Sequence, residues 1–316
     1  MRVTCLVLCF GCVSHASITP DARPAPDAAA GDAASSSIDQ CFPGLADPAK
    51  LHPNYDQFHP VMNADCTGTN YQDIAGIEKV VFLGDSITTG TPPTLPADFY
   101  RTLVGDAMKI RFGAAIEVRD CSKWGARTDD LQMQIATCFA DVEPKHTLVV
   151  MTIGGNDMNA YQKDTATDTP AQTIAKVDAS VARLDAALAR LKSPAHFPAG
   201  SDVVVANIYE FTDGTGDLPA CPAAALAGFT MHASPQIVPA HLHINEQFLA
   251  TVIQHGADLV FTLETFCGHG FHKDDPSSQC FKGVNTPLWF DPFTCIHPNT
   301  TGHHELAHMF ETTISD

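Results

Sequence analysis

Lys79-Val-Val-Phe-Leu-Gly-Asp-Ser86 is the stretch that decides the fold. Residues 80–83 form a continuous apolar run that stops at Gly84 and Asp85, two residue types that turns prefer. An apolar run without polar alternation is typical of a strand covered on both faces. Ser86 follows directly, so its hydroxyl is predicted to lie at the carboxyl edge of the sheet, where open α/β sheets bind their ligands.

Four further apolar runs repeat this pattern along the chain. Strands are predicted at 79–84, 115–120, 147–153, 202–208 and 258–263. Helical patterns alternate with them, near 97–110, 128–140, 170–193, 240–255 and 299–314. Strands that alternate with helices imply a mostly parallel sheet covered by helices on both faces. We therefore predict one α/β domain, a three-layer α/β/α sandwich around a five-stranded sheet.

Three other blocks carry residues that could act together with Ser86. Gly125 lies in Trp-Gly-Ala-Arg after the second predicted strand, and Asn156 lies in Gly-Gly-Asn-Asp after the third. His297 begins His-Pro-Asn late in the chain. Serine is a poor nucleophile at neutral pH until a histidine takes its proton, so Ser86 and His297 together predict nucleophilic catalysis. Each block alone is an ordinary turn, but the order of the blocks along the chain favours a common site.

With these four blocks the chain resembles the SGNH, or GDSL-type, serine hydrolase family over roughly residues 79 to 316. Ser86, Gly125, Asn156 and His297 match the four residues of its motifs. The resemblance implies a flavodoxin-like sandwich that hydrolyses carboxylic esters without a metal or organic cofactor. It also implies an oxyanion hole made by the N–H groups of Ser86 and Gly125 and the side chain of Asn156. The segment from His297 to His303 is similar to the branch of secreted, disulfide-bonded esterases and lipases.

One position departs from the family pattern. The family usually has an Asp three residues before its His, and here that position holds Thr294. Asp291, which lies six residues before His297, is one group that could orient the imidazole. The backbone carbonyl of Thr294 is the other, and it would leave a Ser–His dyad. We favour Asp291, because a carboxylate stabilises the imidazolium better than a neutral carbonyl does.

Other functions remain open beside an esterase or lipase. His304-Glu305-Leu-Ala-His308 matches the His-Glu-x-x-His motif of zinc proteases, although such a site needs a third ligand. A carbohydrate O-acetylesterase or a non-catalytic binding module could also use the same scaffold. The irregular segments 210–238 and 264–296 are predicted either to rim the site or to form disulfide-tied coil. Three aromatic residues ahead of His297 form either an apolar rim or part of the core: Trp289, Phe290 and Phe293.

The first 40 residues are predicted to lie outside the folded domain, which spans 41–316. Residues 1–15 combine a charged start with a short apolar stretch, which is typical of a signal peptide. Cys12 lies in a lipobox-like stretch, so lipidation and simple secretion are both open. Residues 16–40, rich in Pro, Ala, Asp and Ser, predict a flexible linker. We therefore expect an exported protein that is extracellular, periplasmic or an outer-surface lipoprotein.

The net charge of the chain limits the kinds of molecule that it can be expected to bind. Eighteen Lys and Arg residues against 36 Asp and Glu residues give a formal net charge of −18. Binding to nucleic acid depends on cations that neutralise phosphate, so this balance argues against it. The expected partner is a small-molecule, lipid or glycan ester, and we expect a monomer.

Eight cysteines follow the predicted signal peptide. An even number in an exported protein predicts disulfides, and none of the eight form a Cys-x-x-Cys zinc spacing. The pairing is not determined by the sequence. Local pairing favours Cys41–Cys66, Cys121–Cys138 and Cys267–Cys280, which leaves Cys221–Cys295 to hold the segment that carries His297.

Overall fold

Five parallel strands form one sheet at the centre of the domain. In a computed structural model that describes residues 67–221, 223 and 236–315, their order across the sheet is β2-β1-β3-β4-β5. The strands are β1 (Lys79–Gly84), β2 (Glu117–Asp120), β3 (Thr147–Thr152), β4 (Ser201–Ala206) and β5 (Asp258–Val260). All four neighbouring pairs are parallel, so every strand presents its carboxyl end at the same edge.

Eight α-helices connect and cover these strands in the described part of the chain. They are α1 (Ser86–Thr89), α2 (Tyr100–Phe112), α3 (Leu131–Cys138), α4 (Gly155–Asp164), α5 (Pro170–Leu191), α6 (Ile237–Gln254), α7 (Thr262–Phe266) and α8 (Thr300–Ser315). Short 3-10 turns occur at Pro96–Asp98, Thr128–Asp130 and Leu218–Ala220.

The sheet buries both of its faces, which confirms the predicted three-layer sandwich. Successive strand residues point to opposite faces. On β1, Val81 and Leu83 join a core that includes residues of α3, α5 and α6. Val80 and Phe82 join the opposite core, which includes residues of α2 and α8. Continuous apolar strands are therefore needed here, since alternating polar residues would place unpaired polar groups against a helix layer.

The structure moves several predicted boundaries. β2 begins at Glu117 rather than at 115 and is half exposed, as befits an edge strand. β5 ends at Val260, because the Thr262 hydroxyl donates to the Asn207 side-chain oxygen at 2.9 Å and the chain turns into α7. Helix α4 was not predicted, since the turn-forming residues at its start conceal a buried pair, Met158 and Tyr161.

Three predicted disulfides are present: Cys121–Cys138, Cys221–Cys295 and Cys267–Cys280. The predicted Cys41–Cys66 bridge, the signal peptide (1–15), Cys12 and the linker (16–40) lie outside the described residues. Of the helices that the structure describes, none combines the length and apolar character needed to cross a membrane.

Candidate active site

The turn after β1 places Ser86 at the carboxyl edge of the sheet. Gly84 has a φ of 116°, and a Cβ at this position would lie 2.0 Å from the carbonyl oxygen of Thr152 on the neighbouring strand. The Gln134 side chain forms two hydrogen bonds of 2.8 Å with the Gly84 backbone, one to each peptide group. The backbone that aims Ser86 is therefore fixed by a neighbouring strand and by a buried amide.

Asp85 caps helix α1 from beneath Ser86. Its carboxylate accepts from the Ile87 N–H at 3.0 Å and from the Thr152 hydroxyl at 2.9 Å. The Thr152 hydroxyl also contacts that of Thr88, which contacts the Tyr100 hydroxyl. Burial raises the pKa of Asp85 to about 7. The residue thus organises the turn and does not touch His297, in keeping with its interpretation as a turn residue.

Ser86 and His297 meet although 211 positions separate them in the chain. The Ser86 hydroxyl oxygen lies 2.8 Å from Nε2 of His297, and Ser86 is 7% exposed. Burial lowers the pKa of His297 to about 4, while the nearby Asp291 charge acts in the opposite direction. The ring is therefore neutral at neutral pH, and its Nε2 can accept the serine proton.

The loop that carries His297 is held by contacts from several elements. The Tyr209 hydroxyl donates to the carbonyl of Ile296 at 2.9 Å. The side chain of Asn299 donates to the carbonyl of Leu288 at 2.7 Å and accepts from the first turn of α8. The Cys221–Cys295 disulfide enters the loop two residues before His297, where Cys295 has a left-handed φ of 65°. No regular element supports His297 itself.

The structure does not make the predicted contact between Asp291 and the imidazole. Oδ1 of Asp291 instead accepts from the N–H groups of Phe293 and Thr294 at 3.0 and 2.9 Å, because the chain folds into a tight turn after Pro292. The alternative acceptor, the Thr294 carbonyl, is bonded to the Ile296 N–H. Nδ1 of His297 has no hydrogen-bond partner among the described residues. Both groups thus lie in the His297 loop without bonding to the ring.

Gly125 and Asn156 lie on two loops that are fastened to each other. The Asn156 side chain donates to the carbonyl of Ala126 at 2.9 Å. The neighbouring Asp157 accepts from both the N–H and the hydroxyl of Thr128, so a second set of hydrogen bonds joins the same two loops. Gly125 has a φ of 75°, a conformation that glycine adopts at little cost. Asn156 joins Ser86 and His297 in lining one cavity, and Gly125 lies beside Asn156 in the adjoining cleft.

The cavity beside Ser86 and His297 is mainly apolar. Six of its apolar residues come from the ends of β3 and β4 and from three helices, α4, α6 and α7. Ile153 and Ile208 follow the two strands, and the helices contribute Met158, Ile237, Leu242 and Leu263. The first part of the irregular segment 210–238 also lines it, through residues such as Phe211 and Leu218. Gln279 and Ile296 contribute from 264–296. Both irregular segments therefore border the cavity, as one of the two predictions for them required.

The aromatic residues ahead of His297 divide between core and surface. Trp289 and Phe290 are buried, whereas Phe293 is 74% exposed. Trp124, which precedes Gly125, is 52% exposed, and its ring centroid lies 6.3 Å from that of His297. The exposed aromatic surface near the site therefore includes a residue of the Gly125 loop.

The zinc-protease motif on α8 lies on the surface. His304 and His308 are exposed, and Nε2 of His304 lies 2.9 Å from the Asp98 carboxylate. Across the described ranges, no group of three or more His, Cys, Asp or Glu side chains is arranged to hold a metal ion. The alternative zinc site thus has no third ligand within those ranges.

Several residues of the site region gave no recognisable pattern in the sequence. Tyr209 and Gln134 position the two halves of the site, but their partners are distant in the chain. His303 is buried behind the site and accepts from the Tyr100 N–H at 3.3 Å. The signal that the sequence offers for His303 is a polar residue inside an otherwise apolar helical stripe.

A parallel sheet in the order 2-1-3-4-5 defines a flavodoxin-like sandwich, and the serine and the histidine lie at the edge where such sheets bind their ligands. The chain belongs to the GDSL-like lipase/acylhydrolase family, whose model matches residues 82–305. It is therefore an ester hydrolase by family.

Solved structures similar to this chain include esterases and lipases of bacteria. A phospholipase A1 from Streptomyces albidoflavus NA297 is 21% identical, with a TM-score of 0.47, and the match covers 75% of this chain and 99% of that one. An extracellular lipase from Streptomyces rimosus is 18% identical, with the same coverage and TM-score. An acetyl xylan esterase from Geobacillus stearothermophilus is 16% identical, with coverage of 77% and 97% and a TM-score of 0.47. None of the curated proteins matches the chain in sequence.

Proposed function

We propose that the protein is an exported serine esterase or lipase that hydrolyses carboxylic esters through an acyl-enzyme on Ser86. The observation that carries this proposal is the 2.8 Å contact between the Ser86 hydroxyl and Nε2 of His297. The pair lies at the mouth of an apolar cavity, and its histidine is neutral at neutral pH because burial lowers its pKa. A nucleophile and a base within hydrogen-bond reach meet the geometric requirement for covalent catalysis.

In the proposed reaction the Ser86 oxygen attacks the acyl carbon while Nε2 of His297 takes the serine proton. The electron pair of the carbonyl bond moves to its oxygen, and the intermediate then collapses as the alcohol leaves with the proton from His297. Water attacks the acyl-enzyme by the same path and releases the acid. The N–H groups of Ser86 and Gly125 and the amide of Asn156 are the proposed donors to the oxyanion, and each such donor is typically worth about 3 kcal/mol.

The apolar cavity favours esters of apolar acids. An acyl chain placed against Ile153, Ile208 and Leu242 would leave water for apolar surface, which lowers its free energy by about 25 cal/mol for each Å² buried. The second candidate is an O-acetylesterase acting on carbohydrates. The half-exposed Trp124 beside His297 favours it, because an indole ring offers a broad apolar face at the site mouth.

Export is supported by the three disulfides of the described residues, since disulfides persist in oxidising compartments. The signal peptide, the linker and a lipid on Cys12 remain part of the proposal, as does a monomeric state.

The serine mechanism is tested by Ser86→Ala. This variant should lose at least about 10⁴-fold in kcat, because the nucleophile acts as a unit with its base. A fluorophosphonate probe should label the parent protein at Ser86 and leave the variant unlabelled. Ser122→Ala is a matched control, since Ser122 lies near the same turn through a 2.9 Å contact with Thr89. Ester hydrolysis that persisted in a folded Ser86→Ala variant would reject the mechanism.

A series of esters that differ only in acyl length separates the two candidate substrates. Rising kcat/KM from acetyl to longer acyl groups is expected if the cavity binds the chain. A maximum at acetyl, together with deacetylation of acetylated polysaccharides, would instead favour the O-acetylesterase.

A further inference from the structure

A second, polar cleft adjoins the apolar cavity. It has a volume of about 320 Å³, and its lining includes Gly125, Arg127, Asn156, Lys163 and Asp164. The lining comes from two places, the loop that follows β2 and the exposed side of α4. The cleft therefore borders the proposed oxyanion hole, and it shares Asn156 and Asn159 with the lining of the apolar cavity.

The charge of this cleft is opposite to that of the protein as a whole. Arg127 and Lys163 are both exposed, and neither forms an ion pair with a carboxylate of the described residues. The one acid of the lining, Asp164, pairs with Lys176 at 2.6 Å and shares that lysine with Asp168. Two cations without a carboxylate partner among the described residues thus line one cleft of a chain whose formal net charge is −18.

Asn156 lines both the cleft and the apolar cavity. An ester whose carbonyl oxygen is bound by Asn156 consequently has an apolar space on one side and a cationic space on the other. An ester of an apolar acid with a negatively charged alcohol would match these two spaces. Its acyl chain would fit the apolar cavity, and its alcohol would fit the cationic cleft. Long-range repulsion by an acidic protein would otherwise disfavour such a substrate, so local cations matter most for it.

We propose that the cleft lined by Arg127 and Lys163 is a subsite for an anionic group, a phosphate or a carboxylate, on the alcohol portion of the ester. This proposal rests on the proposed function, since the ester carbonyl must lie at Asn156. The acyl portion then occupies the apolar cavity, and the enzyme selects esters of apolar acids with anionic alcohols.

The test compares esters that share one acyl group and differ in the charge of the alcohol. One pair is an acylated glycerol and the corresponding acylated glycerol 3-phosphate, and the other is an acylated glucose and the corresponding acylated glucuronate. The two pairs distinguish a phosphate from a carboxylate. The parent enzyme should have a higher kcat/KM for the anionic member of at least one pair, and added salt should reduce that preference because it screens exposed charges.

Arg127→Gln, Lys163→Gln and the double variant remove the cations while keeping polar side chains. The double variant should lower kcat/KM for the preferred anionic ester by about tenfold, as expected for two exposed charge pairs, with little effect on its neutral counterpart. The loss should appear mainly in KM, because the anionic group that these two cations would bind is not part of the bond that breaks. Arg190→Gln is the matched control, since Arg190 lies in the last turn of α5, whose Leu191 carbonyl bonds to Ser201 at the opposite edge of the sheet.

The proposal would be overturned if the ratio of kcat/KM for the anionic ester to kcat/KM for the neutral ester were unchanged in the double variant. An equal fall of that ratio in Arg190→Gln would also overturn it. A preference that depended on a charge in the acyl portion of the ester would do the same. If the parent enzyme hydrolyses none of these esters, the proposed function fails. Calorimetry with glycerol 3-phosphate and with glucuronate then tests separately whether the cleft binds an anion. Binding that the double variant loses would sustain the anion subsite, and no binding to the parent protein would reject it.

Discussion

The Ser86 hydroxyl oxygen and Nε2 of His297 lie 2.8 Å apart, yet the protein holds the two residues in place by different means. Ser86 follows a buried central strand, and its turn is fixed by backbone geometry, a capping carboxylate and the Gln134 amide. His297 lies in an irregular loop that is held by one tyrosine, one asparagine, one disulfide and a backbone hydrogen bond of 2.8 Å from the Asp291 N–H to the His297 carbonyl. The turn at Ser86 is fixed by the sheet, whereas the histidine loop has no strand of its own and relies more on side-chain and disulfide partners. Changes on the histidine side should therefore separate catalysis from stability more clearly.

The largest expected effect comes from His297 itself. His297→Ala should lower kcat by at least about 10⁴-fold, because the serine then has no base. His304→Ala and His308→Ala, which lie on the exposed face of α8, should retain full activity. Steady-state kinetics on one neutral ester compares the three variants. Loss of activity in the His304 and His308 variants, together with loss in the parent enzyme on chelation and its restoration by zinc, would instead favour the metalloprotease alternative.

Asn156 should matter next, since it is the side-chain member of the proposed oxyanion hole. Asn156→Ala should lower kcat by about 10²- to 10³-fold with KM little changed, the effect typical of a lost oxyanion donor. Asn156→Asp keeps the shape but presents a carboxylate to the developing negative charge, so its kcat should be lower still. Near-parent kcat in both variants would remove Asn156 from the site.

The disulfide at the histidine loop should affect both activity and stability. Removing Cys221–Cys295 as a double Cys→Ser variant should cost about 4 kcal/mol of unfolding free energy, and removing Cys121–Cys138 about 3 kcal/mol, in a chain-entropy model of their loops. Their sequence separations are 74 and 17. Only the first variant should also lose kcat, by about ten- to a hundredfold, since displacing His297 disturbs the reactive geometry. Equal kcat in the two folded variants would contradict this division.

A smaller effect is expected at Asp291, whose carboxylate supports the turn at Phe293 and Thr294. Asp291→Asn keeps an oxygen that accepts both N–H groups, so kcat should fall less than about tenfold. Asp291→Ala removes the acceptor and should destabilise the protein by about 1–3 kcal/mol, with a larger loss of kcat. A loss near 10⁴-fold in Asp291→Asn would show that the carboxylate orients the imidazole in the working enzyme, as in a complete triad.

The smallest effect concerns the acid limb of the pH profile. His297 must be neutral to act as a base, and burial lowers its pKa to about 4. Activity should therefore be present above that pH and decline as pH falls through about 4, measured as kcat/KM on a neutral ester. Asp291→Asn should move this limb to lower pH, because the Asp291 charge raises the pKa of His297. A parent profile that declines near 6.5, the ordinary value, would contradict the burial of the ring.

Much of the fold could be predicted because its signals are local. The strand at 79–84, the order of strands and helices, and the positions of Ser86, Gly125 and Asn156 after strand ends all follow from short patterns. The surroundings of His297 could not be predicted in the same way. The sequence does not reveal that Oδ1 of Asp291 accepts from the turn at Thr294, nor that the Tyr209 hydroxyl reaches Ile296, 87 positions away. The cleft lined by Arg127 and Lys163 likewise joins two segments that are separate in the sequence.

The Cys221–Cys295 bridge joins two segments that lie 74 positions apart and ends two residues before His297. The nucleophile turn needs only early parts of the chain, whereas the histidine loop reaches its final form after two distant thiols have been oxidised. In a compartment that keeps thiols reduced, we expect a newly made chain to hold His297 less firmly and to hydrolyse esters about ten- to a hundredfold more slowly. Oxidation of the two thiols would then raise the rate, so the bond that stabilises the loop would also tie hydrolysis to the redox state of the compartment.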